Sequence, residues 1–275
     1  MSRGIILLVV GAVAAAPAPL PLQLAFAILG IGVVGMVHGA GDLAVVAPVC
    51  RPLFLVAYGV VSLVTLLWWT TDPAAALPAF LVASAVHFGI EDAPNGALSE
   101  RLARGVALVA GPAMLHAAGY AALLRTAGGA SSMLETYTPI LAAAGGAAVI
   151  LLLILAWQRR ELRLASGVAA LVVLPPLVGF TLGFLILHAM PQTIERRDQL
   201  GYANTMSYLR AVASVFGGAI LLAAVVAGLL LHFDPSGVRG LFAGIAALAV
   251  PHLLVTPWFE VRATHDRRAM VAEIA

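Results

Sequence analysis

The chain has 275 residues, of which 62% are hydrophobic and only 10% are charged. A soluble domain carries about a quarter charged residues, so this chain cannot cover a water-facing surface of its size, and disordered chains are richer still in charge. The net charge is only +2, and all 15 basic residues are arginine, which gives no support to nucleic-acid binding. The composition predicts an all-α, polytopic transmembrane helical bundle, because helices satisfy their own backbone in lipid.

Long charge-free runs predict ten membrane segments. Two of them, 4–16 and 163–174, are short, at about 20 Å as helix, and fit thin, tilted or re-entrant helices. Pro175 and Pro176 remove two backbone donors and disfavour helix before them, so we place a break there. With no linker and no internal repeat, we predict a single integral membrane domain over 1–275. The ten segments are 4–16, 22–46, 52–70, 74–90, 103–124, 138–157, 163–174, 177–197, 206–231 and 238–258.

The arginines orient these segments in the membrane. With ten crossings, 13 arginines lie on one side and only Arg125 and Arg239 on the other. With nine crossings the split becomes 8 to 7. Because cytoplasmic loops carry an excess of basic residues, ten crossings are favoured. We therefore expect both termini in the cytoplasm and the protein in the cell membrane.

Ionisable side chains at membrane depth are costly and usually face a bundle interior or a cavity. One such histidine is most often a satisfied contact between helices, but five together favour a shared function. In the ten-crossing topology four of them lie on helices that run toward the cytoplasm, at one common level. The five are His38, His87, His116, His188 and His252, and His116 is the one outside that group of four.

Several neutral imidazoles in an apolar bundle are typical of a metal site, since imidazole suits Fe, Zn, Cu and Ni. Asp42 lies one turn after His38, and Glu91 lies one turn after His87 with Asp92 beside it. We expect Asp42 and Asp92 to accept the second ring N–H of the histidines rather than to bind the metal. A proton relay is the chief competing use of such residues. The groups of a relay are usually distributed across the bilayer, whereas these histidines lie at one level.

Five short blocks around these histidines resemble, in the same order, those of the Brp/Blh membrane β-carotene 15,15′-dioxygenases. Each block alone is weak, but five in order over most of the chain are fairly specific. The blocks are HGAGD at 38–42, SAVHFGIED at 84–92, GPAMLH at 111–116, LGFLILHAMPQ at 182–192 and VPHLLV at 250–255.

The resemblance implies a non-haem Fe(II) enzyme that splits the central double bond of β-carotene with O₂ to give two molecules of retinal. It implies iron ligands at His38, His87 and His188, a lipid-soluble carotenoid as substrate, and a retinal-accepting opsin as a neighbour in the cell. His116 also matches a position of the family, and we rank it below the others as a ligand.

The chain departs from the family at Gln192, where a second histidine typically follows the first by four residues. An amide oxygen is a weaker and harder ligand than imidazole. Either His252 completes the site, or Gln192 contacts O₂ or substrate, or the activity is altered.

Two functions of other classes fit the same histidines. A proton or metal transporter lined by His and Asp predicts polar residues in both halves of the bilayer and an inverted repeat, and neither is evident. A non-catalytic carotenoid- or retinal-binding membrane protein is the other, which Gln192 allows. A Schiff-base rhodopsin is excluded because the chain has no lysine.

The remaining polar and aromatic residues receive simpler interpretations. Phe88, Phe180 and Phe184 flank the histidines and are candidates to line a polyene tunnel, although such residues more often pack in the core or face lipid. We expect a solvated helix end at ERRDQ (195–199), and interfacial anchors at two tyrosines. We expect solvated side chains at two histidines outside the membrane segments. These four residues are Tyr202, Tyr208, His232 and His265.

Overall fold

The structure, a computed structural model, describes residues 3–129, 132–232 and 235–260, and these ranges contain helices and no strand. His265 and three of the arginines used to orient the chain (Arg262, Arg267 and Arg268) lie outside them. In chain order the helices are α1 (Arg3–Ala15), α2 (Leu20–Val45), α3 (Arg51–Thr71), α4 (Pro73–Asp92), α5 (Leu98–Ala110), α6 (Ala113–Gly128), α7 (Ser132–Arg159), α8 (Leu162–Val173), α9 (Pro176–Gln199), α10 (Thr205–Leu230) and α11 (Val238–Glu260).

The predicted all-α membrane architecture is confirmed. Seven of the helices are long and apolar enough to cross a membrane, and α5 with α6, bent by 52°, forms an eighth if the pair is one span. Helices α1 and α8 are short and apolar, as predicted. The break at the two prolines is also present, since α8 ends at Val173 and α9 begins at Pro176. Ten full crossings and cytoplasmic termini stay predictions.

Small residues bring the backbones of α4 and α5 together, which fixes the helix that carries one of the histidines. A Cβ placed on Gly105 would lie 1.8 Å from the carbonyl oxygen of Ala85, so only glycine fits there. In lipid, where water does not drive helices together, such close packing is a main source of helix association.

A partly buried group of charges joins α5 to α7. Both carboxylate oxygens of Glu100 lie 2.7 Å from the guanidinium of Arg159, and Arg104 approaches the same carboxylate at 2.9 Å. Glu100 and Arg104 are both buried, where a charge is tolerated only when it is paired. This network holds the ends of α5 and α7 in place, away from the histidines.

Helix α10 forms a thin wall of the bundle. Its N-terminus is closed by a capping box between Asn204 and Ser207, and its buried residues, Tyr208, Val212 and Leu230, lie only near its two ends. Tyr208 is fully buried and donates to the carbonyl of Val37 at 3.0 Å, so the expectation of an interfacial anchor there was wrong. Between these ends the inner face of α10 borders a cavity.

Candidate metal centre

Four histidines from four helices meet in one closed group. The rings of His38 and His87 do not adjoin each other, but each contacts both His188 and His252. The centroid distances are 5.1 Å for His38 to His188, 5.3 Å for His38 to His252, 5.2 Å for His87 to His188 and 5.3 Å for His87 to His252. The structure therefore brings together the four histidines that the sequence placed at one level. We call them the histidine cluster.

Two turns of π-helix lie beside the cluster. One covers Ile28–Val34, just before His38 on α2, and the other covers Leu185–Ala189 and contains His188. Single π turns inside α-helices frequently mark functional sites. The sequence carried no signal for either of them, because a π turn is set by how the neighbouring helices pack and not by residue type.

Three histidines of the cluster have their Nδ1 occupied by an acceptor. The Nδ1 of His188 lies 2.8 Å from Oδ1 of Asp92, and that of His252 lies 2.6 Å from Oδ2 of Asp42. The Nδ1–H of His38 donates to the carbonyl of Gly35 at 2.5 Å. A carbonyl only accepts, so His38 carries its proton on Nδ1 and keeps a lone pair on Nε2. Such contacts fix the tautomer and ring orientation of metal-binding histidines.

The opposite ring nitrogens are available for a metal. The Nε2 atoms of His188 and His252 are buried and have no hydrogen-bond partner within the described ranges. Buried polar atoms are nearly always paired, and a bound ion is one accepted reason for an exception. Two imidazoles with these unpartnered Nε2 atoms, next to the imidazoles of His38 and His87, fit a site for Fe(II) or another divalent first-row metal.

Glu91 lies at the edge of the cluster. Its Oε2 is 3.3 Å from Nε2 of His87 and 4.0 Å from Nε2 of His188. The donor atoms of these three residues all lie within 4.8 Å of one another, close enough to hold a metal ion. A carboxylate is thus in reach of the same space as the imidazoles.

Gln192 does not join this group of donors. Its side-chain amide donates to the backbone carbonyl of Glu91 at 3.2 Å, which ties α9 to the end of α4. His252 is the fourth imidazole of the cluster, and it comes from α11 and not from the helix turn after His188.

His116 lies apart from the cluster, at a kink in α6 where its backbone leaves the helical region (φ −123°, ψ 40°). Its Nε2 is 3.2 Å from the carbonyl of Val173. Because the last carbonyls of a helix have no partner within the helix, His116 caps the C-terminus of α8. This contact is a structural one.

An apolar cavity of about 470 Å³ opens onto the histidine cluster. Phe88, Phe180 and Phe184 all line it, and the rings of Phe88 and Phe184 lie 4.7 and 5.4 Å from the ring of His188. From there the cavity extends along the inner face of α10, past Ala219 and Ala223, to Leu231. It is a long, mostly apolar space, and the four histidines and Asp42 are among its few polar lining residues.

Two further residues, which no sequence motif indicated, lie beside the cluster. Thr256 donates to Oδ2 of Asp42 at 2.9 Å. The side chain of Arg196 is only 13% exposed and faces the same carboxylate, so the solvated helix end expected for 195–199 was wrong at this position. Nothing in the pattern ERRDQ separates Arg196 from Arg197, because the difference lies in which face of α9 meets α2 and α11.

The fold and the cluster together define a class: a multi-pass membrane protein with a candidate metal centre facing an apolar cavity. Comparison with the sequence models of protein families matches residues 29–260 to the beta-carotene 15,15'-dioxygenase family. The match covers most of the chain and all four histidines, and the chain belongs to this family. The resemblance inferred from the motifs is thus confirmed. Comparison with curated proteins and with solved structures finds no match.

Proposed function

We propose that the chain binds Fe(II) through His38, His87, His188 and His252 and cleaves the central 15,15′ double bond of β-carotene with O₂ to give two molecules of retinal. One observation carries the proposal. In a chain of the β-carotene dioxygenase family, four imidazoles meet at the wall of a long apolar cavity.

The protein's own residues would hold the metal and orient the histidines that bind it. Asp42, Asp92 and the carbonyl of Gly35 occupy the Nδ1 atoms of three histidines, which leaves the Nε2 atoms for the metal. When bound, Fe(II) supplies the activation of O₂ at positions that the histidines leave open. The reaction balances without a further reductant, since the carbon–carbon double bond breaks and each carbon takes one oxygen atom.

The cavity suits a carotenoid because most of its lining is apolar. Phe88, Phe180 and Phe184 would hold the polyene against the cluster, and the surrounding helices would keep water from the reacting carbons. A substrate dissolved in the bilayer would reach the cavity sideways, between helices. Phenyl rings at fixed distances from His188 would decide which double bond is cut.

The proposed setting is the cell membrane, with ten crossings, one integral domain and both termini in the cytoplasm. Retinal is itself apolar and would leave into the same bilayer. A retinal-accepting opsin would be its natural consumer there.

The test is product analysis in a bacterial host that accumulates β-carotene, with Fe(II) in the medium. Wild type, His188→Ala and the matched control His116→Ala are expressed, and retinoids and remaining carotene are extracted and chromatographed. We expect retinal from wild type and from His116→Ala, and none from His188→Ala. His116 is the fitting control because it is a histidine of the same bundle whose contact is with a helix end.

Other outcomes separate the alternatives. Formation of retinal by His188→Ala would overturn the assignment of the histidine cluster as the iron site. A single apocarotenal instead of retinal would overturn central cleavage. Carotene that co-purifies uncleaved with folded, iron-loaded wild type would favour a non-catalytic carotenoid-binding protein.

A further inference from the structure

Arg196 lies next to the histidine cluster, on the C-terminal part of α9. Its Nη1 is 2.9 Å from Oε1 of Glu260, and its Nη2 is 3.8 Å from Oδ1 of Asp42. Arg196 thus lies between a carboxylate at the end of α11 and the carboxylate that contacts His252. The neighbouring Arg197, whose side chain is 23% exposed, pairs instead with Asp198.

Asp42 is almost fully buried, at 2% exposure, and its two oxygens have different partners. Oδ2 accepts from Nδ1 of His252 at 2.6 Å and from Thr256 at 2.9 Å. Oδ1 has no hydrogen-bond partner in the part of the chain that the structure describes, and the guanidinium of Arg196 is the cation that faces it. A buried carboxylate without a compensating charge is strongly unfavourable, so Arg196 compensates Asp42 at a distance slightly beyond a hydrogen bond.

The backbone beside Asp42 is shaped to let Arg196 reach it. A Cβ on Gly41 would lie 2.8 Å from Cγ of Arg196 and 2.6 Å from Oη of Tyr208. Glycine at this position leaves the space that the arginine stem fills. The aliphatic part of the Arg196 side chain is therefore fixed by packing, and its guanidinium is held next to Asp42.

We propose that Arg196 is a positioning residue for the metal centre: it fixes the carboxylate of Asp42, which in turn fixes the ring of His252 with Nε2 toward the metal. The inference rests on the proposed function, in which His252 is a ligand. His188 is held differently, since no cation lies within 4.0 Å of Asp92 among the described residues. The two histidines thus have unequal support, and Arg196 acts on one of them.

The experiment is a Co(II) titration of the full-length protein in detergent, followed by the visible absorption of the bound cobalt. Arg196→Met keeps an unbranched stem over Gly41 and removes the charge, whereas Arg196→Lys keeps a charge. The matched control is Arg197→Met. Co(II) is used because its absorption reports ligand geometry without any turnover.

We expect Arg196→Met to weaken Co(II) binding by about 10- to 100-fold, the usual effect of losing a group that orients a ligand, and to alter the absorption bands. Arg196→Lys should recover most of the affinity, and Arg197→Met should match wild type. In an Asp42→Asn background, Arg196→Met should add little, because the arginine acts through that carboxylate.

Three results would overturn the inference. One is unchanged Co(II) affinity and absorption in Arg196→Met. Another is that Arg196→Met lowers the Co(II) affinity by as much in the Asp42→Asn background as in wild type. If Arg196→Met does not fold, Arg196→Gln removes the charge and keeps a polar side chain, and unchanged cobalt affinity and absorption in that variant would be the third. Wild type that forms retinal while Arg196→Met binds Co(II) normally leaves the proposed function standing. Wild type that takes up neither Co(II) nor Fe(II) overturns both.

Discussion

Asp92 on α4 and His188 on α9 lie 96 positions apart in the chain, and Oδ1 of Asp92 is 2.8 Å from Nδ1 of His188. Both side chains are almost completely buried, at 3% and 1% exposure. This contact joins the two helices at the centre of the molecule and turns the ring of His188 so that its Nε2 faces the other histidines.

Replacing Asp92 by Ala removes the acceptor that orients His188. We expect metal affinity to fall by about 10- to 100-fold, measured by Fe(II) or Co(II) titration of the purified protein. Asp198→Ala serves as the control, because Asp198 is exposed and pairs with Arg197. Equal affinities for the two variants would contradict an orienting role for Asp92.

His252 and Gln192 are the two candidates for the fourth donor, and they can be told apart. Gln192→Ala should keep its metal and its product, since the amide of Gln192 donates to the backbone of α4. His252→Ala should lose most of its bound iron, measured by elemental analysis of the purified protein. The opposite pattern would place the fourth donor on α9.

Shortening Phe184 to Ala should widen the cavity beside two histidines, because its ring lies 6.4 Å from that of His38 and 5.4 Å from that of His188. We expect the rate of central cleavage to fall by up to about 100-fold, since small misplacements of a substrate have effects of that size, and apocarotenals to accompany retinal. Chromatography of the products measures both effects. Phe26→Ala is the control, because Phe26 packs against Gly11 outside the cavity; a similar mixture from it would show a general effect of lost packing.

His116→Ala should affect stability and not the metal. The loss of one hydrogen bond to the end of α8 should cost about 1 kcal/mol, which lowers the thermal unfolding midpoint in detergent. The bound metal per chain should equal that of wild type. A loss of metal in this variant would assign His116 a part in the centre.

The sequence predicted the membrane bundle, the break at the prolines and the meeting of the four histidines, because each depends on hydropathy and on position along a helix. His38 and His252 fall at one depth whichever way their helices rotate, so a topology was enough to bring them together. Which side chains of a helix face the cluster depends in addition on the rotation of that helix about its axis. Arg196 and Arg197 are the same residue type, and only the packing of α9 turns the first toward Asp42 and the second toward Asp198.

The sequence also does not indicate which histidine each acidic residue contacts. Asp42 follows His38 by one turn, yet it contacts His252 on α11, and Asp92 contacts His188 and not the neighbouring His87. Contacts between helices are set by crossing angles and by the small residues at their interfaces. No spacing within one helix encodes them.

The π turn at Leu185–Ala189 has a consequence for how this chain tolerates changes in length. A π turn holds one residue more than an α turn, so the two halves of α9 keep the relative orientation of a regular helix that is one residue shorter. Phe184 on one half lies near the histidine rings, and Arg196 on the other half lies near Asp42. Deleting a residue from the regular part of α9 between them would rotate one half against the other by about 100° and break one of these contacts. Loss of a residue within the π turn, other than His188, should therefore disturb the two contacts less than loss of a residue from the regular helix.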